Sequence, residues 1–301
     1  MKILKRVALA LLLVIAVVVT YLFIQLRSLT VEQVTDDVYV LYGLGGNVGV
    51  LKSDAGTVVV DTMTFEIQGQ QILKKAQELT GMPITLIINT HYHTDHTHGN
   101  PAFPTGTRVV ATERTLHHLH ATDTEYFSGD AAALLPNETF SQFKEINLGN
   151  KTLRLYQTGR GHTDGDLVVE FVEDKVLHTG DLFFNGYYPN IDLEGGGSVL
   201  EWADTLTPVL ALNVNQVIPG HGPLSDRAGL MQFQHFMQQL ADIGKQAAAE
   251  GWAVEQTQAT ELLTEDSNYS EIRMILPIGL NREFVLTRAW EEATGSFTRR
   301  P

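Results

Sequence analysis

Residues 7–24 are almost wholly apolar and follow Lys2, Lys5 and Arg6. That run is about the length that crosses a bilayer and longer than the apolar part of an export signal. Basic residues before it and Glu32, Asp36 and Asp37 after it predict the amino terminus inside and the rest of the chain outside. Its exit reads "TYLFIQLRS", without a small-x-small cleavage pattern. The first thirty residues are therefore expected to be a signal anchor, with the remainder in the periplasm or another extracytoplasmic space. A cleaved signal peptide releasing a soluble periplasmic protein is the alternative.

Beyond residue 30 the pattern shortens. "VYVLYG", "NVGVLKS" and "GTVVVDT" are β-rich runs divided by Gly and Asp turns, a meander. In "EIQGQQILKKAQEL", Ile67, Ile72, Leu73 and Leu79 recur at helical spacing. "ITLIINT" and "TRVVAT" read as strands, followed by a helix through "ERTLHHLHA". "TLRLYQT", "DLVVEFV" and "KVLHTGD" are strands, "SVLEWADTLTPVLAL" a helix and "QVIPGHG" a last strand. A β-rich then mixed order, given twice, predicts two αβ halves packed sheet to sheet with helices outside. The expected architecture is an αββα sandwich over residues 31–225, with a helical carboxy-terminal extension over 226–301. Gly195, Gly196 and Gly197 suggest a flexible loop.

The chain of 301 residues is 44 % hydrophobic and 19 % charged, which places it among globular proteins. A net charge of −14 argues against nucleic acid and against anionic lipid as ligands of the folded part. The sequence gives no sign of oligomeric state. With no cysteine, thiolate nucleophiles and thiolate ligands are excluded, so a metal site must use His, Asp or Glu. Residues 89–100, "NTHYHTDHTHGN", supply His91, His93, Asp95, His96 and His98. His91 and His93 are two apart, so both can point one way. Asp95 and His96 can diverge toward a neighbouring ion if the chain turns into a helix there. One loop fills only part of a shell. His162 in "GRGHTDGD", Asp181 in "LHTGDLF" and His221 in "IPGHG" sit at strand ends beside glycines that let backbone approach closely. Asp61 ends "TVVVDT".

"THYHTDH", "GHTDGD", "HTGD" and "PGHG", in that order, resemble the metallo-β-lactamase-fold hydrolase superfamily over roughly residues 34–221. The resemblance implies the αββα fold and a two-metal site at one edge of it. His91, His93 and His162 would hold the first metal, Asp95, His96 and His221 the second, and Asp181 would bridge them. Asp61 would orient the ligand loop from behind. Two Zn²⁺ ions about 3.5–4 Å apart (Fe or Mn in their place) would supply hydroxide near neutrality, without a covalent intermediate. Asp95 would orient the attacking water or carry its proton. Asn185, Tyr187 and Tyr188, in the run after Asp181, are candidate substrate contacts.

Three positions sort the branch. Many zinc β-lactamases carry cysteine or serine at the place of Asp181, so aspartate is similar instead to the glyoxalase II, lactonase and general-hydrolase branches. Histidine at 93 departs from the glutamate of flavodiiron oxygen reductases. His96 departs from branches with a single iron. The implied activity is hydrolysis of a small ester, thioester, lactone or amide. A β-lactam hydrolase and a non-catalytic metal- or ligand-binding member of the fold are the alternatives. His98 is expected to point outward as a bystander, His178 to be buried, and His117, His118 and His120 to lie on a solvated helix face.

Overall fold

The computed structural model describes residues 2–272 and 279–297. Helix α1 (Lys2–Arg27) leads into an antiparallel meander of β1 (Thr30–Gln33), β2 (Val38–Tyr42), β3 (Val48–Ser53) and β4 (Gly56–Val60). Helix α2 (Glu66–Thr80), strand β5 (Ile84–Ile88), the single turn α3 (Thr94–Thr97), β6 (Arg108–Thr112), α4 (Glu113–Thr122) and β7 (Glu138–Phe140) follow. Strands β4 to β7 pair in parallel, completing a seven-stranded sheet in sequence order. The second sheet holds β8 (Phe143–Asn147), β9 (Thr152–Tyr156), β10 (Val168–Phe171), β11 (Val176–His178) and β12 (Gln216–Ile218). Helix α5 (Val199–Leu210) crosses from β11 to β12, which makes that pair parallel. The chain continues through α6 (Arg227–Glu250), α7 (Val254–Gln258) and α8 (Arg282–Thr294).

Period-two alternation assigns each strand's side chains to two layers. Val58 and Val60 of β4 face the second sheet and pack with Leu153, Leu155, Val169 and Phe171. Val59, between them, packs outward with Ile72 and Ala76 of α2. On the far side of the second sheet, Val168, Leu177 and Val217 meet Trp202 and Leu206 of α5 and Phe233, Phe236 and Leu240 of α6. Helix, sheet, sheet and helix therefore form four layers, as the sequence leads one to expect. Val285, Leu286 and Ala289 of α8 join the same outer cluster. Strands β7 and β8 were not expected. Each is short, and β8 buries one residue of five, so neither carries an apolar signature.

Gly195, Gly196 and Gly197 correct the expectation of a flexible loop, for all three are buried. A Cβ on Gly197 would collide with the carbonyl oxygen of His162, so the residue serves close backbone approach. The segment leads into α5, whose first N–H groups are capped twice. Ser198 Oγ accepts from Glu201 N at 3.0 Å. Glu292, reaching over from α8, accepts from Val199 N at 2.6 Å and from Ser198 Oγ at 2.6 Å. A carboxylate there satisfies unpaired donors and complements the positive end of the helix.

The expected membrane run lies within α1, where the side chains of residues 2–5, 7–10, 22 and 25 are outside the described residues. Among the described residues, no helix is long and apolar enough to cross a membrane.

Candidate metal centre

The ligand candidates gather at one rim of the sandwich, where strands end. β5 ends at Ile88, and the chain passes through His91 and His93 into α3, which carries Asp95 and His96. β11 ends at His178, three residues before Asp181, and β12 ends at Ile218, three before His221. His162 lies between β9 and β10. His91, His93, His162 and Asp181 each offer a ligand atom in one group, and Asp95, His96 and His221 form another, with the atoms of each group within 4.8 Å of one another. Asp181 faces both. Its Oδ2 lies 3.8 Å from His91 Nε2, 3.5 Å from His162 Nε2 and 3.5 Å from His221 Nε2, while its Oδ1 lies 3.1 Å from His96 Nε2. The structure therefore brings all seven residues named from the sequence together at this rim.

These residues fit a metal. His91 Nε2, His96 Nε2 and Asp181 Oδ1 are buried without a hydrogen bond, and all three converge on the same small volume. Buried polar atoms lacking partners are costly, and cations at the two ligand groups would satisfy all three. Neutral imidazole and carboxylate suit Zn²⁺ as they do Fe and Mn.

The outer nitrogens of His91, His93, His96 and His162 are held as well. Asp61 closes β4 with φ 64°, a left-handed conformation that aspartate tolerates better than most residues. Its carboxylate accepts from Thr90 N at 2.8 Å and Thr90 Oγ1 at 2.7 Å, and lies 2.7 Å from His96 Nδ1. It thus aims His96 and ties the ligand loop to the neighbouring strand. His162 Nδ1 is 2.8 Å from the carbonyl oxygen of Asn190. His93 presents Nδ1 to the cluster, 2.7 Å from His162 Nε2, and its Nε2 lies 3.0 Å from Asp192 Oδ2. Asp192, also bonded by the Tyr92 hydroxyl, was not found from the sequence; it stands 99 residues from His93 in no motif. Asn47 was missed too. Its Nδ2 donates to Pro219 O at 2.9 Å and Gly222 O at 2.8 Å, fixing the loop that carries His221. Within that loop Gly220 has no alternative, because a Cβ there would strike Asp181 Oδ1. Substituting Asp61→Asn puts an amide N–H where an acceptor is needed. Metal affinity at the His96 group should fall about 10–100-fold, as measured by competition with a chromophoric chelator. Unchanged affinity would show that His96 does not need Asp61.

The charges are strongly coupled. Burial pushes the His221 imidazole down, but Asp181 and Asp95 outweigh it and bring the group up to about 9. His96 is likewise buried and is raised by Asp181, Asp95 and Asp61. Burial pushes the Asp181 carboxyl up, yet His221, His96, His91 and His162 hold it well below the usual range. Burial lowers His162 to about 4, with His93 adding to the effect. A raised imidazole stabilises the metal-free fold fully below its ordinary value of 6.5, and that contribution disappears as pH climbs through about 9. The depressed carboxylates stabilise above their ordinary value of 3.8 and lose that contribution as pH falls. Lowered His162 works the other way between about pH 4 and 6.5, so the clear expectation lies on the alkaline side: chelator-stripped protein should melt higher near pH 6.5 than near pH 9.5, by calorimetry. Zinc should flatten the alkaline decline, since it replaces the protons. A stripped protein whose melting point is unchanged from pH 6.5 to 9.5 would contradict this coupling.

The cluster opens into a cavity of about 730 Å³ lined in part by Tyr42, Asn47, His93, Asp95, Asp181, Phe184, Tyr187, Asn190 and His221. Of the three substrate contacts named from the sequence, Tyr187 is on this wall. The side chains of Asn185 and Tyr188 are committed elsewhere: Asn185 Nδ2 donates to Pro223 O at 2.9 Å, and Tyr188 Oη donates to Asp266 at 2.8 Å. His98 is not in either ligand group, and neither does it point outward: its ring stacks on Tyr126 with centroids 3.7 Å apart. His178 is buried, with Nε2 3.2 Å from Asn47 O. His117 and His120 are exposed, but His118 stacks on Tyr92 and lies 2.7 Å from Asp164 Oδ1.

Comparison with known proteins agrees with this geometry. Residues 41–221, more than half of the chain, match the family model of the metallo-beta-lactamase superfamily. A type 2 metallo-beta-lactamase from Bacillus cereus is 24 % identical over 215 residues, covering 68 % of this chain and 80 % of that one. A hydroxyacylglutathione hydrolase from Rhodospirillum rubrum is 32 % identical over 112 residues, 36 % of this chain and 38 % of that one. Among solved structures, a metallo-beta-lactamase from Pontibacter korlensis superposes with a TM-score of 0.61 at 21 % identity, covering 70 % of this chain and 99 % of that one. The chain belongs to the metallo-beta-lactamase superfamily and is a metal-dependent hydrolase.

Proposed function

We propose that the protein is a dinuclear zinc hydrolase that cleaves a small ester, thioester, lactone or amide. The supporting observation is the pair of adjoining ligand groups that share Asp181, with three buried atoms lacking any other partner. His91, His93, His162 and Asp181 would hold one ion, and Asp95, His96, His221 and the same Asp181 the other. Bound ions would supply Lewis acidity toward a substrate carbonyl and water of lowered pKa.

The chain's own side chains do the rest. Asp61 and Asp192 fix the rings of His96 and His93. Burial pushes the Asp95 carboxyl up, but His96 and His221 hold it well below the ordinary range, so it is ionised at neutrality and can accept a proton at Oδ2. Asp95 is part-exposed to the cavity, placing that oxygen beside entering water. Phe184, stacked on His221 with centroids 5.1 Å apart, shields the ligand from solvent.

A zinc-loaded sample tested on esters, thioesters, lactones and β-lactams decides among substrate classes. Asp95→Asn should leave the fold intact and lower turnover on the best substrate by about 10²–10⁴-fold. Turnover within a few-fold of the parent would remove Asp95 from the chemistry.

We further propose that α1 is a membrane anchor, with the catalytic part outside the cytoplasm. From Leu11 to Ile24 its large apolar side chains are 46–68 % exposed, a face that water does not favour. Deleting residues 1–27 should move the protein from the membrane pellet to the soluble fraction; a parent already soluble would refute the anchor.

A further inference from the structure

We infer that the cavity takes an uncharged ester or lactone carrying a hydrocarbon chain, an inference that rests on the hydrolytic reading of the same site. Beyond the ligand groups, the wall's large apolar side chains are Tyr42, Leu44, Phe184, Tyr187, Ile272 and Leu280, beside the polar Asn47, Thr64 and Asn190. The hydroxyl of Tyr42 is already engaged: it donates to Glu32 Oε2 at 2.7 Å and accepts from Leu224 N at 3.1 Å. What Tyr42 has left to offer a ligand is its ring. Among the described residues, no lysine or arginine lines the cavity, and the one charged side chain apart from the ligands is Glu32. A substrate carboxylate or phosphate directed away from the ligand groups would face Glu32, with no lysine or arginine among the described lining residues to offset the like-charge repulsion. A cavity of about 730 Å³ with such walls exceeds the needs of an acetyl group and suits an extended aliphatic chain.

The mouth adds a second observation. Thr30 and Glu32 belong to β1 and stand on the cavity wall, and β1 begins three residues after α1 ends at Arg27. Leu29, in the link between them, packs against the outer core of the first sheet, so the link is fastened to the catalytic part. Thr30 and Glu32 thus bring the cavity wall to within a few residues of the end of α1. A bilayer and the aqueous phase can both deliver a chain-bearing substrate.

The test uses the full-length, zinc-loaded chain in mild detergent below its critical micelle concentration. Esters of one phenol with straight acyl chains of two to ten carbons are compared with the same chains ending in a carboxylate. The value of kcat/KM should rise about two- to fourfold per added methylene until the cavity is filled. The terminal carboxylates should fall at least tenfold below their uncharged counterparts. A flat or falling series, or a preference for the carboxylates, overturns the inference and leaves the hydrolytic reading standing. No turnover at any length overturns the inference, while hydrolysis of a thioester, amide or β-lactam by the same sample leaves the hydrolytic reading standing. Phosphatidylcholine vesicles then identify the source. Faster turnover of the long esters on vesicles assigns delivery to the bilayer, and slower turnover assigns it to water; the substrate class stands in both cases.

Discussion

Asp181→Asn should abolish two-metal loading and reduce hydrolysis of the best ester or lactone by about 10³-fold or more. The carboxylate stands within 3.1–3.8 Å of four imidazole nitrogens from both ligand groups, so no other side chain can serve both. An amide of the same shape brings a neutral oxygen to one group and an N–H to the other. That N–H repels a cation and cannot be satisfied by His96 Nε2 once the latter is a ligand. In the metal-free protein the variant should still fold, because it removes a buried carboxylate together with the charge that raises His96 and His221. The measurement is metal content per chain by mass spectrometry after gel filtration, with the ester rate alongside. Two zinc ions retained at parental affinity would show that Asp181 is not the bridge.

Trp202→Ala should cost about 3–5 kcal/mol of stability in denaturant unfolding. The indole is wholly buried between α6 and the loop after β11, with its centroid 5.8 Å from Phe233. Removal leaves a void among close-packed aromatic rings that cannot collapse inward. Its Nε1 also donates to Leu182 O at 3.1 Å, one residue past Asp181, and the ring lies 6.3 Å from that of His162. Metal affinity should therefore fall together with stability. Trp202→Phe separates the two contributions: most of the volume stays, while Leu182 O loses its donor at about 1–3 kcal/mol. If Trp202→Ala lost less than about 1 kcal/mol, the cluster would be looser than its packing implies.

The ligands were legible because each is tied to a short local pattern at a strand end. "THYHTDH" gives four of them within six positions, and the glycine-flanked His162, Asp181 and His221 each sit in a run of four to six residues. The two-sheet layering was legible from runs such as "GTVVV", which is buried on both faces. What supports the ligands was not. Asp192 reaches His93, Asn47 reaches the loop of His221 and Tyr188 turns to Asp266 only because the fold brings together segments 78 to 172 residues apart. Asp192 could have been noticed as an acid three residues before a run of glycines, but its spacing points to no partner. The glycines misled in the opposite direction: a run of small residues suggests freedom, whereas here it marks backbone packed against backbone.

The cap that Glu292 places on α5 ties this rim of the fold to the last helix. Ser198 and Glu292 are 94 residues apart, and α5 follows the glycine segment that positions Asp192 behind His93. A nascent chain that has emerged only as far as His221 already owns all seven ligands but lacks this clasp. The second cap on α5 therefore forms only when α8 folds back across 94 residues, so the order of this rim depends on a long-range contact made outside residues 41–221.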